Sequence, residues 1–98
     1  MIAVRNVFNL KFGRAKEAKA LMKEAVEINR KNGLKDVRVL SDLTGVSYRI
    51  VFETYHESLA DFESKLQAIF GNADWRTMYD KFIPLVDSAH REIFTVEV

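Results

Sequence analysis

The 98 residues are 48% hydrophobic and 30% charged, which excludes a disordered segment and supplies one domain's core, residues 1–98, with no length left for a second. Fifteen basic against fourteen acidic residues leave a formal charge of +1, so no net field draws the chain to nucleic acid or to a membrane surface. Cysteine is absent and there are only two histidines, His56 and His90. That removes disulfides, thiolate nucleophiles and cysteine or histidine-only metal sites.

The start, Met1-Ile-Ala-Val-Arg-Asn-Val-Phe8, lacks the basic opening and long apolar run of a signal peptide. No apolar stretch approaches the roughly 20 residues that cross a bilayer. A cytoplasmic location is the expectation. One proline and four glycines provide no linker.

In chain order, residues 2–10 form the first expected strand, with Ile2, Val4, Phe8 and Leu10 on one face and Asn6 the polar member among them. Ala3, Arg5, Val7 and Asn9 take the other face. Lys11-Phe12-Gly13 is a turn, and from Arg14 the period changes. Ala18, Leu21, Met22, Ala25 and Ile28 recur at three and four, which predicts an amphipathic helix over 14–32. Asn32-Gly33 stops it, and Glu27 precedes Lys31 at ion-pair spacing. Two strands are expected next, over 35–41 and 46–55, joined by the hairpin Asp42-Leu-Thr-Gly45. On the second, Tyr48, Ile50 and Phe52 share a face; Ser47, Arg49, Val51, Glu53 and Tyr55 share the other.

Ser58 followed by Asp61 is a capping-box variant that opens a helix carrying Leu59, Phe62, Leu66, Ile69 and Phe70. Gly71 ends it. Asn72 caps a second short helix bearing Trp75, Met78, Tyr79, Phe82 and Ile83, with Asp74 at the positive end of its dipole. Pro84 limits that helix, and a last strand is expected from about Arg91. The order is βαββαβ with the second helix broken in two.

The two central strands give the sheet unlike faces. The side with Ile2, Val4, Phe8, Leu10, Tyr48, Ile50 and Phe52 must meet the helical stripes. The side with Arg5, Val7, Asn9, Arg49, Val51 and Glu53 is mixed. An ordinary solvated antiparallel face is one account of it. The other, and the expected one, is cover by a second copy of the same sheet. Arg49, Glu53 and Arg5 are then an ionic cluster that sets the register of a homodimer.

Tyr55-His-Glu-Ser-Leu-Ala-Asp-Phe-Glu63, Asn72-Ala-Asp-Trp-Arg76, Phe82-Ile-Pro-Leu-Val-Asp-Ser88 and the ending Arg91-Glu-Ile-Phe94 carry a resemblance. With them the chain resembles the dimeric α+β barrel superfamily, and within it the NIPSNAP-like branch. The resemblance implies an α+β, ferredoxin-like fold with a four-stranded antiparallel sheet, paired sheet to sheet with a second copy. Members include cofactor-free monooxygenases, haem-degrading enzymes and muconolactone-isomerase-like proteins. Those that act on small molecules hold them between helices and sheet, which makes Asn6, Tyr48, Trp75 and Tyr79 the candidate ligand contacts here. The haem degraders use a histidine in the later helical segment; residues 75–82 contain none, so haem is not expected. No other metal or organic cofactor is expected either.

Each candidate has a plainer account. Trp75 and Tyr79 at helical spacing beside Met78 and Phe82 fit simple core. Asn6 and Tyr48 put polar atoms on the apolar face, where a backbone group or water satisfies them as well as a ligand does. His56 and His90 read as solvated loop histidines, since nothing visible places a substrate near them. RNA recognition uses the same element order, and Gly45-Val-Ser-Tyr-Arg-Ile-Val-Phe52 resembles its third-strand signature. Here Phe8, Tyr48 and Phe52 point at the helices instead of at bases, and the near-zero charge lacks the dominant electrostatic attraction. Two functions remain: a binder of a hydrophobic or aromatic small molecule, with or without turnover in the manner of a cofactor-independent monooxygenase or isomerase, and a non-catalytic homodimeric binding or scaffolding domain.

Overall fold

The computed structural model describes residues 1–34, 36–45 and 48–98. Its elements are β1 (Ile2–Leu10), α1 (Ala15–Lys31), β2 (Val37–Ser41), β3 (Arg49–His56), α2 (Leu59–Phe70), α3 (Ala73–Phe82), a 3₁₀ turn (Ile83–Leu85) and β4 (Val86–Thr95). The strands form one antiparallel sheet in the order β2-β3-β1-β4. This is the α+β, ferredoxin-like arrangement, with the helical layer on one face. Val7 stands opposite Val51 and His90, and Asn6 opposite Phe52 and Arg91. That register assigns every neighbouring side chain to a face.

The helical side follows the parity of the sequence. Ile50 and Phe52 pack with Ala18, Met22 and Ala25 of α1 and Met78 and Phe82 of α3, and Phe8 and Tyr48 pack against that cluster. Alanines at 18 and 25, both fully buried, let α1 lie close to the sheet. Phe82 is 1% exposed and meets Phe8 edge to face at 4.9 Å. Burying a side chain of that size stabilises by about 2–3 kcal/mol.

The break between α2 and α3 is built from side-chain caps. Ser58 Oγ accepts the Asp61 N–H at 3.1 Å, and Asp61 reaches back to accept the Glu57 N–H at 3.2 Å. Asn72 Oδ1 accepts the Trp75 N–H at 2.9 Å, so α3 starts at Ala73, with only Asn72 between it and the Gly71 that ends α2. Each cap satisfies an amide that has no partner inside its helix.

The structure departs from the sequence expectations in several places. β4 begins at Val86, not at Arg91. The turn at Pro84 feeds directly into it, and as an edge strand with polar residues at its start it shows no apolar alternation to reveal itself. Helix α1 is one residue shorter at each end, with Arg14 and Asn32 as its caps. Glu27 pairs with Arg30, one residue before the expected Lys31. The expected starts of the second and third strands at Lys35 and at Val46, and the placing of Ser47 on the open face, lie outside the described residues.

The open face of the sheet is more ordered than a row of solvated side chains. Glu53 is 1% exposed there, held by Arg5 Nε at 2.7 Å, by Arg38 at 3.2 Å and by the Tyr55 hydroxyl. Arg38 and Tyr55 thus replace Arg49 in the expected ionic cluster. Arg49 turns to the β2–β3 hairpin, where its N–H donates to Asp42 Oδ1 at 3.1 Å and its Nε lies 3.6 Å from Asp42 Oδ2. The reason is reach: Asp42 sits at the end of β2 beside the start of β3, whereas Glu53 is half a strand away. Asn9 donates to Ser88 Oγ at 3.0 Å, and Val7 is buried within the single chain.

Candidate functional site

Between the sheet and the helical layer lies a cavity of about 530 Å³. It exists because α2 meets the sheet through Phe62, against His56 and Arg91, and stands off the rest of it. Of the apolar residues on that helix only Ile69 is buried; Leu59 and Phe70 are exposed, and Phe62 and Leu66 face the cavity. The floor is the helical side of the sheet: Asn6 and Phe8 from β1, Phe52, Thr54 and His56 from β3, Ala89 and Arg91 from β4. One wall comes from Met22 and Asn29 of α1, the other from Trp75 and Tyr79 of α3.

The α3 wall is aromatic. Trp75 and Tyr79, one helical turn apart, stack with ring centres 5.9 Å apart and planes 15° from parallel. Phe52 approaches Trp75 edge-on at 6.3 Å. Such a surface offers an incoming ring both flat and edge contacts.

Of the expected ligand contacts, Asn6, Trp75 and Tyr79 come together at this cavity. Tyr48 stands apart, at the end of the sheet beside the β2–β3 hairpin. Its backbone takes φ 64°, its carbonyl accepts the Leu10 N–H at 2.7 Å, and its ring meets Phe12 at 5.0 Å. A tyrosine in left-handed backbone is uncommon, and here two local contacts hold it there.

Thr54, His56 and Arg91 are among the polar residues at the cavity that sequence reading alone does not single out as ligand contacts. His56, expected to be a solvated loop residue, is 4% exposed because β3 runs on to it and α2 folds across it. Its Nε2 is 2.9 Å from Thr54 Oγ1, its ring meets Phe62, and its Nδ1 lies 3.7 Å from Asp61 Oδ2, too far for a hydrogen bond. Burial pushes the imidazole below its ordinary pKa, against the opposing pull of Asp61, so it is neutral at neutral pH. Asp61 is itself held below the usual carboxylate range, first by the Lys65 ammonium at 3.0 Å and then by the Glu57 N–H. The inward parity of Ile50 and Phe52, carried two and four residues further, would have found Thr54 and His56. Arg91 needed the register. On the inward side of β4 opposite Asn6, it donates from Nε to Asn6 Oδ1 at 2.7 Å and lies over the Phe62 ring at 5.2 Å. His90 is its outward neighbour and is exposed.

Among the described residues no three histidine, aspartate or glutamate side chains gather as a metal ion would require. No helix among them is long and apolar enough to cross a membrane.

No family model matches the chain, and no curated protein matches it. Solved structures do. A NIPSNAP family protein from Agrobacterium tumefaciens superposes with a TM-score of 0.85 at 15% identity, over 96% of this chain and 90% of that one. An uncharacterized NIPSNAP domain protein from Burkholderia xenovorans gives 0.86 at 11% identity, over 98% and 94%. A proposed antibiotic biosynthesis monooxygenase from Nitrosomonas europaea gives 0.79 at 14% identity, with both chains covered in full. Identities this low speak to architecture and not to chemistry. The chain therefore shares the ferredoxin-like fold of NIPSNAP family proteins and of proteins assigned as antibiotic biosynthesis monooxygenases.

Proposed function

We propose that this chain is a cytoplasmic, homodimeric small-molecule-binding protein that holds a hydrophobic or aromatic ligand between its sheet and its helices. The observation that carries the proposal is the cavity itself. Its volume of about 530 Å³ falls within the range of small-molecule sites, roughly 300–1,000 Å³, and a lining whose surface is mostly apolar is the usual make-up of such sites. Asn6, Trp75 and Tyr79 are the ligand contacts in this proposal, and Tyr48 is a support of the hairpin. The dimer is proposed through the open face, where Arg5, Val7, Asn9, Val51 and Glu53 lie together, with Arg49 at its hairpin end. Support comes from the arginines and Glu53, which form a fixed pattern of charge that a second copy can match. The strand position of residues 2–10, at the centre of the sheet, supports reading them as part of the folded body.

The catalytic version, a cofactor-independent monooxygenase or isomerase, rests on His56. A neutral imidazole in the cavity floor, hydrogen-bonded through Nε2 to the Thr54 hydroxyl, would take a substrate proton by way of that hydroxyl, because its Nδ1 is enclosed 3.7 Å from Asp61. The alternative is a dimer that binds without turnover or serves as a scaffold. Native mass spectrometry of the protein as purified tests the assembly and the ligand together. The expected spectrum is a dimer whose mass exceeds twice that of the chain by a bound organic molecule. A monomer would end the dimer proposal. If a panel of hydrophobic aromatic compounds also left Trp75 fluorescence unmoved, the binding proposal would fall. Turnover of a bound compound that is lost in H56Q, with affinity retained, would decide for the catalytic version.

A further inference from the structure

We infer that the ligand of this cavity is a hydrophobic organic anion, whose apolar body lies against the Trp75–Tyr79 wall and whose carboxylate or similar oxyanion is received by Arg91. The inference rests on the small-molecule proposal above and adds the charge of the ligand to it. Two observations carry it. The first is the sign of the lining: its formally charged side chains are Lys65 and Arg91, and no aspartate or glutamate side chain is among those that line the space. Lys65 is already neutralised by Asp61 at 3.0 Å. Arg91 is not. Arg5, Arg14, Arg30, Arg38 and Arg49 each reach a carboxylate, whereas among the described residues no carboxylate lies within ion-pair distance of Arg91 or of Arg76, and of those two only Arg91 lines the cavity.

The second observation is that Arg91 is positioned. Its Nε–H is anchored on Asn6 Oδ1 at 2.7 Å and its guanidinium plane rests near the Phe62 ring. One edge of the fork is therefore used to orient it, and the two terminal nitrogens remain to meet a carboxylate in the bidentate manner that arginine favours. The same bond fixes the Asn6 amide. Arginine only donates, so the amide oxygen must face it, and the Asn6 Nδ2 donor is left at the cavity floor. Arg91 and Asn6 together present donors to an oxyanion at one edge of an otherwise aromatic and aliphatic space. A cationic ligand would meet like charge there, and a neutral one would forgo the strongest contact the site offers. Because Arg91 is exposed at the mouth of the cavity, water competes for it, so the expected preference for an anion is about tenfold, equivalent to about 1.4 kcal/mol.

The chain has a single tryptophan, and it lines the cavity, so its emission reports occupancy directly. The probes are phenylbutyrate, phenylbutanol and phenylbutylamine, which share an apolar body and differ in charge, titrated at neutral pH and low salt. Phenylbutyrate is expected to bind about tenfold more tightly than phenylbutanol, with phenylbutylamine weakest. In R91Q the acid should fall to the affinity of the alcohol, while the alcohol's own affinity stays within about twofold and shows that the cavity is intact. In R91K, which keeps the charge without the fork, a preference of about threefold should return. Equal affinities of acid and alcohol, a tighter amine, or equal loss of both ligands in R91Q would overturn the anion inference and leave the small-molecule proposal standing. Binding of none of the three would overturn both.

Discussion

Glu53 is the residue whose replacement tests the open face most directly. Its side chain is 2% exposed, yet it lies on the side of the sheet away from the helices, and it is tolerated there only because three donors meet it. Glu53→Gln keeps the shape and one acceptor oxygen. Whichever way the amide turns, its NH₂ then faces either Arg5 or the pair Arg38 and Tyr55, so at least one charge-assisted bond is replaced by two opposed donors. Such bonds contribute about 1.5–3 kcal/mol when buried. The Arg5 and Arg38 side chains are 46% and 66% exposed, so both regain water in the variant, which trims the expected cost to about 2 kcal/mol. For a domain of this size that lowers the melting temperature by about 8–16 °C. Urea unfolding followed by Trp75 emission measures it. Running the melt at two protein concentrations separates loss of stability within the chain from loss of association. A change below about 0.5 kcal/mol would refute the reasoning, because it would mean that the network holds nothing that water does not replace.

Other outcomes can be checked with the same melts. Phe82→Ala should destabilise by about 3–5 kcal/mol, since the ring is fully enclosed by α1, β1 and α3 and the site has little room to collapse. Asn72→Ala, which leaves the Trp75 amide unsatisfied at the start of α3, should cost about 1 kcal/mol and lower far-ultraviolet helical signal only slightly. The pH dependence should come in two stages. His56 is held below its ordinary pKa by burial, so the stability it contributes is whole above about pH 6.5 and is lost as pH falls from there toward its folded value, because the unfolded chain takes up the proton first. Glu53 is held below the carboxylate range, chiefly by the Tyr55 hydrogen bond and then by Arg5, so its contribution persists to about pH 4 and disappears below that. H56Q should remove the upper stage and keep the lower; a profile unchanged by H56Q would show that the upper stage has another origin.

Much of the architecture was legible because the signals were local. Strand parity separated Tyr48, Ile50 and Phe52 from Arg49, Val51 and Glu53, and the two side-chain caps at Ser58 and Asn72 marked where each short helix begins. The parts that were missed depend on partners distant in sequence. The first half of β4 pairs on one side only, and its run Val86-Asp-Ser-Ala-His90 has no alternation to advertise a strand. Arg38 joins Glu53 only because β2 pairs with β3 in one register, and Arg91 enters the cavity only because β4 pairs with β1 in another. His56 differs: its place near a strand end suggests a solvated loop, while its parity with Ile50 and Phe52 puts it inside. Tyr48 drew attention as a phenol on the apolar face, but the left-handed backbone that turns it toward Phe12 has no signature in its neighbours.

Helix α2 is fastened to the rest of the molecule chiefly by two side chains, the buried Ile69 and Phe62, whose ring meets His56 and Arg91. The free energy needed to lift it away is set by those two contacts and not by the global stability of the sheet. Its amide protons should therefore exchange with solvent well before those of β1 and β3, and at a rate that bound ligand slows. A floor made of strands and a roof that opens on its own clock give the interior a route to water without any unfolding of the sheet beneath.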